Sequence, residues 1–334
     1  LEAIHWAHRE LLGLGITSVL DAWVDAELAE TYFAAAQKDL LEVETHLAFW
    51  LEPELWQEQL AKAAEMKLRI GELGSEKLHG STVKLFVDGV FGSATALVSE
   101  RYESSGGFGS RFWAPEQLAE ACLRATELGF QLHLHAIGDS GVNAGLDALE
   151  GCAAHWLRNN NRPPVMAHVE LVDDAALIRL AALKVAVNLQ PLWARPDDLL
   201  NSCRRHLGNR VENLYRTRDL LSAGVSVAFG SDWPVSSPNP FLGLYTAVFR
   251  SLPSQGSTQN SGQAIDFERA LHAYTVQGAA QLGIENKGRL FPGNRGDFLI
   301  LSGDPFEAPE GLPQLNVLET ISGGQTKFTR HKIA

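Results

Sequence analysis

The chain has 334 residues, 45% of them hydrophobic and 20% charged, with a formal net charge of −12. That balance suits a globule with a large core and excludes a disordered or collagen-like chain. The acidic surplus argues against nucleic acid or an anionic membrane surface as partner, and no run of eighteen apolar residues offers a membrane span.

Residues 1–14 carry apolar side chains at helical spacing and stop at Gly13 and Gly15, after which ITSVLDAWV reads as a strand rich in branched residues. This start has no signal peptide's apolar centre. An Ala-rich helix over residues 25–38, a strand VETHLAFWL and a charged amphipathic helix over residues 53–70 follow. VKLFV then leads into a Gly-rich loop, Pro115 opens the helix PEQLAEACLRATELG at its tolerated first turn, and FQLHLHA is the next strand. Helix 140–156, strand PVMAH, helix 173–183, strand VAVNL, helix RTRDLLSAG and strand VSVAFG continue the alternation. Strands separated by helices predict parallel βαβ units, in a barrel or an open doubly wound sheet. No GxGxxG or P-loop marks the open sheet's ligand site, and polar residues at several strand ends favour the barrel.

Seven strands fall between residues 16 and 230, one short of eight, which predicts an α/β barrel lacking its first strand over residues 1–283. Residues 284–334 change to short β-like pieces, GRLFPGNRGDFLILSGDP and VLETISGGQTKF, expected to form a small β element on the barrel. An open strand edge is a place for another chain to pair, so a homo-oligomer is one expectation. Cys122, Cys152 and Cys203 show no CxxC spacing, which predicts free thiols in a reducing compartment, the cytoplasm.

Four residues stand at the ends of four such strands: Lys84, His135, His168 and Asp232. His133 and His135 are two apart and share a face, and His168 follows thirty-three residues later, one βα unit on. Two neutral imidazoles at neighbouring strand mouths could bind one ion; singly, each is also what a hydrogen-bonded core histidine looks like. Asp232 could ligate a metal and shuttle a proton, or cap a turn ahead of Pro234. Lys84 is costly to bury as a cation, so it either loses its charge and becomes a carbamate or reaches solvent or Asp88. Trp193 and Trp233 could form an apolar substrate wall or pack against neighbouring helices.

These motifs resemble the amidohydrolase superfamily, in particular the YtcJ-like branch of amidohydrolase family 3, from Leu1 to about Phe328. The resemblance rests on VKLFVDGVFGSATA, HAIGDSGVNAGLDALE, HVELVDDAALIRLAALKVAVNLQP, VAFGSDWPVSSPNPFLGLYTAVFR and ALHAYTVQGAAQLGIENKGRLFPGNRGDFLILSGDP. It implies a TIM-type (β/α)8 metal-dependent hydrolase barrel with a small β-sandwich, here a C-terminal remnant of it. It also implies one or two divalent ions, zinc first, with Lys84 as a carbamylated bridging ligand, His135 and His168 as ligands of the second metal, and Asp232 as ligand of the first metal and general base. The implied reaction is hydrolysis of an amide or other non-peptide C–N bond of a small molecule, such as an N-substituted formamide or N-acyl amine, by metal-bound hydroxide.

The chain departs from the family pattern in places. No His-x-His strand precedes Lys84, and the HLH of residues 133–135 belongs to the later strand. Ala167 stands where glutamate is usual, Ala94 where an arginine is common, and Gly296 where alanine is usual. Two other readings stay open: a non-catalytic or truncated remnant of such an enzyme, and a metal hydrolase of esters, lactones or cyclic amides.

Overall fold

The computed structural model describes residues 1–158, 161–253 and 257–330; the last four residues of the predicted tail lie outside these. Seven strands lie in one sheet in chain order: β1 (Ser18–Val24), β2 (Glu44–Leu51), β3 (Leu78–Phe86), β4 (Gln131–Ala136), β5 (Val165–His168), β6 (Ala186–Leu189) and β7 (Val227–Phe229). Every neighbouring pair is parallel. All carboxyl-terminal strand ends therefore lie on one side. The apolar runs read as strands are buried because helices cover the sheet's outer face while the sheet curls over its inner one: β4 is buried throughout, and β2 at all but one residue. β1 and β7 are the sheet's two edges, with no pairing between them among the described residues.

Aspartate side chains start four of the helices, one of which, Asp198–Leu207, the sequence reading did not place. Asp25, Asp173, Asp197 and Asp266 each accept the backbone N–H three residues on, a cap worth about 1 kcal/mol. The helix expected over residues 140–156 is two pieces, Asp139–Glu150 and Ala154–Leu157, separated at Gly151, where glycine costs a helix about 1 kcal/mol relative to alanine. No helix among the described residues is long and apolar enough to cross a membrane.

The tail forms one antiparallel sheet of three strands, β8 (Phe298–Leu301), β9 (Val317–Ser322) and β10 (Gln325–Thr329). Within the described residues it is a single layer, and the chain's first helix, Glu2–Gly13, packs on it. Thr320 Oγ1 donates to the Leu12 carbonyl at 2.6 Å, and Phe328 lies across Gly13. Gly15 turns the chain at φ +81° directly against Leu299, so the start of the chain and its tail are docked together.

Candidate metal centre

β3 and β4 run in register so that Lys84 lies beside His133 and Phe86 beside His135. Lys84 is buried, its Nζ 3.2 Å from His133 Nδ1 and 4.9 Å from the centre of the Phe86 ring. Of the two bland readings of this lysine, neither matches: it neither reaches solvent nor pairs with Asp88, whose oxygens take backbone amides. Burial lowers the Lys84 amine to about 7, against a smaller upward pull from Asp232. Near neutral pH a large share of this amine is therefore uncharged and nucleophilic.

Asp88, fully buried, accepts three backbone N–H groups, from Leu97 at 2.8 Å, Gly138 at 2.9 Å and Ile137 at 3.0 Å. Burial pushes its carboxyl up to about 7 while those amides pull it down. It pins the loop after β3 to the loop after β4, and so sets how Lys84 and His135 sit relative to each other.

His135 and His168 come together, their rings 4.5 Å apart and edge to face. Burial, and then the charge of Lys84, lowers His135 to about 3; burial and His135 hold His168 well below its usual range. Both imidazoles are neutral at neutral pH. His135 Nε2 lies 3.1 Å from the Gly89 carbonyl, which fixes a proton there and leaves Nδ1 with its lone pair. His168 Nδ1 lies 2.7 Å from Gln190 Oε1, which leaves Nε2 free in the same sense. Gln190 is held in turn by Asn188, and Trp193 stacks on the His168 ring at 5.5 Å and 6°.

The chain turns sharply at this face. His168 at φ 77°, Val169 at φ 44° and Asp232 at φ 54° occupy left-handed backbone that non-glycine residues avoid, at a cost of about 1–3 kcal/mol each. Asp232 stands exposed beyond β7. Surrounding protein raises its carboxyl pKa and Lys84 lowers it, an effect that solvent at the mouth weakens. Asp232 thus shares the mouth with the other three through charge, without a hydrogen bond to any of them among the described residues. Trp233 packs on Trp6 of the first helix at 5.8 Å, whereas Trp193 belongs to the histidine pair.

The donors suit a divalent ion of the zinc type. Two neutral imidazoles each present one free nitrogen, and each has its other nitrogen fixed by an oxygen, the outer support that ligating histidines ordinarily have. Gln190 was missed in the sequence, and Asp88 was read there only as a possible partner of Lys84. Gln190 follows the same strand-end rule as the histidines and could have been found by it; the partners of Asp88 are amides, which leave no mark in a sequence.

The sequence pattern of the Amidohydrolase family matches residues 1–328. The chain is 30% identical over 270 residues to YtcJ of Bacillus subtilis, covering 76% of this chain and 49% of that protein. It is 27% identical over 338 residues to the N-substituted formamide deformylase of Arthrobacter pascens, covering 99% and 60%. A metal-dependent hydrolase of Pyrococcus horikoshii has a similar solved structure, with a TM-score of 0.77 and 28% identity over 92% of this chain and 60% of that one. The chain spans about half to three fifths of the length of the curated relatives it matches.

Proposed function

Because this chain belongs to the Amidohydrolase family, we propose that it is a metal-dependent hydrolase of small molecules that cleaves an amide or another non-peptide C–N bond. The observation that carries this reading is the His135–His168 pair, each ring neutral and each with one free nitrogen at the same strand mouth. A divalent ion there, with zinc the best match to imidazole and oxygen donors, would polarise a substrate carbonyl and make water acidic enough to act near pH 7. His135 and His168 hold it. Lys84, buried and largely uncharged, would add carbon dioxide and lose a proton to become a carbamate, whose oxygen would join them in place of an amine that has no charge partner in hydrogen-bonding range among the described residues. Asp232, at the open edge of the mouth, takes the proton of the attacking water and returns it to the leaving nitrogen. Trp193 backs His168 and, with Phe86 against His135, forms an apolar wall for a substrate.

Similarity to a deformylase of N-substituted formamides supports a C–N bond, with formamides the first class to test. Three buried free cysteines, Cys122, Cys152 and Cys203, support a reducing compartment such as the cytoplasm. A panel of N-substituted formamides, N-acyl amines and lactones, offered to the zinc-loaded protein beside Lys84→Ala and His168→Ala, tests the reading. C–N cleavage lost in both variants is expected. Turnover of lactones or esters alone would replace the substrate class, and full activity in His168→Ala would overturn the site.

A further inference from the structure

At the opposite, amino-terminal end of the same strands stands a second group of metal-type donors. Glu44 and His46 open β2 and His79 opens β3, and their ligand atoms all lie within 4.8 Å of one another. The two imidazole rings stack at 4.3 Å and 26°. Glu44 Oε1 is 3.4 Å from His46 Nε2 and 3.3 Å from His79 Nε2.

A register shift brings His79 onto this face. Along β2 the residues His46, Ala48 and Trp50 share a face, and their β3 partners are His79, Thr82 and Lys84. One extra residue therefore sits in β3 between His79 and Thr82, and the parity of the strand changes there. In an unbroken strand His79 and Lys84, five apart, would point to opposite faces. Gly80 makes the bulge feasible, since a Cβ there would lie 2.7 Å from Ile70 and 2.9 Å from Phe49. Lys84 and His79 pair with β2 residues four positions apart, which separates the two groups by about 13 Å along the strands.

The two oxygens of Glu44 have different surroundings. Oε2 is taken by Arg295 at 2.8 Å, Ser18 at 3.2 Å and Lys287 at 3.4 Å. Among the described residues Oε1 faces only the two imidazoles. Burial alone would raise the Glu44 carboxyl, yet His46, His79 and Lys287 hold it well below the usual range. Burial lowers the pKa of His46. His79 Nε2 is buried and has no hydrogen-bond partner, although a carboxylate oxygen lies 3.3 Å away, while the rest of the ring reaches solvent. Bonds of about 2.0–2.1 Å to a tetrahedral zinc place neighbouring donor atoms about 3.3 Å apart, the spacing seen on both sides of Oε1.

We propose that Glu44 Oε1, His46 Nε2 and His79 Nε2 form a second, separate site for a divalent transition metal of the zinc or cobalt type, open to solvent past His79. Lys287 and Arg295 oppose it by charge, so the site is weaker than one with the same donors and no neighbouring cations. It does not depend on the reading of the carboxyl-terminal site.

The test is cobalt(II) titration, followed by visible absorption and by equilibrium dialysis, on the full chain carrying His135→Ala and His168→Ala. One equivalent with a tetrahedral spectrum is expected, at least tenfold weaker or absent once His79→Ala or His46→Gln is added. No cobalt bound to the doubly substituted chain, or binding that His79→Ala leaves unchanged, overturns the proposal. Should the doubly substituted chain fail to fold, the unsubstituted protein gives the same answer: His79→Ala must remove one equivalent and His168→Ala a different one. A His168→Ala protein that keeps every equivalent would count against the carboxyl-terminal site and leave this one standing.

Discussion

Replacing Asp88 by alanine tests whether one buried carboxylate bolts together the loops that follow the strands of Lys84 and His135. Three amides lose their acceptor: Leu97 and Gly138 on Oδ2, and Ile137 on Oδ1. Each buried N–H left unpaired costs about 1–3 kcal/mol, so three sum to about 3–9 kcal/mol before relaxation. Water entering the vacated space, and relief of the carboxylate's own desolvation, reduce this to about 3–5 kcal/mol. Asp88→Asn keeps an oxygen for Leu97 and Gly138 and presents an NH2 to Ile137, for a loss of about 1–3 kcal/mol. A neighbouring glycine sharpens the test. An ideal Cβ on Gly141 would lie 2.3 Å from Asp88 Oδ2 and 2.6 Å from its Cγ. Gly141→Ala alone is therefore destabilising by about 1–3 kcal/mol, although alanine favours a helix by about 1 kcal/mol. In the Asp88→Ala background the obstructing atoms are gone, and the same substitution becomes neutral or stabilising. Urea unfolding of the four proteins, followed by tryptophan fluorescence, gives the coupling, and amide exchange reports on residues 95–98 and 137–139. Additivity within about 0.5 kcal/mol would refute the contact. A loss below about 1 kcal/mol in Asp88→Ala, with exchange unchanged, would refute the bolt.

Two further perturbations probe the frame around the sites. His8 is buried and accepts the amides of Glu42 and Val43 at 3.2 and 3.4 Å; burial, then the charge of Lys77, lowers its pKa to about 4 from 6.5. Between those values the unfolded chain binds the extra proton, so stability falls as pH drops through that window, by about 2 kcal/mol from about pH 7 to about pH 5. Urea midpoints across this range should fall more steeply for the unsubstituted protein than for His8→Gln; equal slopes would sink the idea. Gly15→Ala sets a side chain at φ +81° and 2.5 Å from Leu299 Cδ1, and is expected to cost at least about 1–3 kcal/mol and to loosen β8 from the first helix, read as faster amide exchange over residues 298–301. Unchanged exchange there would show that the docking does not depend on this glycine.

The strands and their reactive ends were legible because a parallel strand buried on both faces is a plain apolar run, and one polar residue at its end stands out. Lys84, His135, His168 and Asp232 are all found at the carboxyl-terminal mouth on that ground. Their partners were less accessible. His133 was read as sharing a face with His135, but that it is the neighbour of Lys84 was not legible, because register across strands, not spacing along one, decides which side chains meet. The tail read as a sandwich remnant forms one layer backed by the first helix, a contact between residues about 308 positions apart that no local pattern encodes. The strand around Lys84 was read as starting at Val83, whereas β3 begins at Leu78; Gly80 and the polar residues around it hid its first half.

That hidden half carries a consequence for how this protein can change. Because β3 switches parity once along its length, its two ends are out of phase, and the bulge acts as an adjustable joint between them. Deleting the one extra residue would leave a regular strand in which His79 and the lysine, then four apart, still share the inner face, whereas straightening the strand at its present length would swing His79 to the outer face. The bulge, more than the number of residues between them, thus keeps the donors at one end of the strand on the same face as the chemistry at the other.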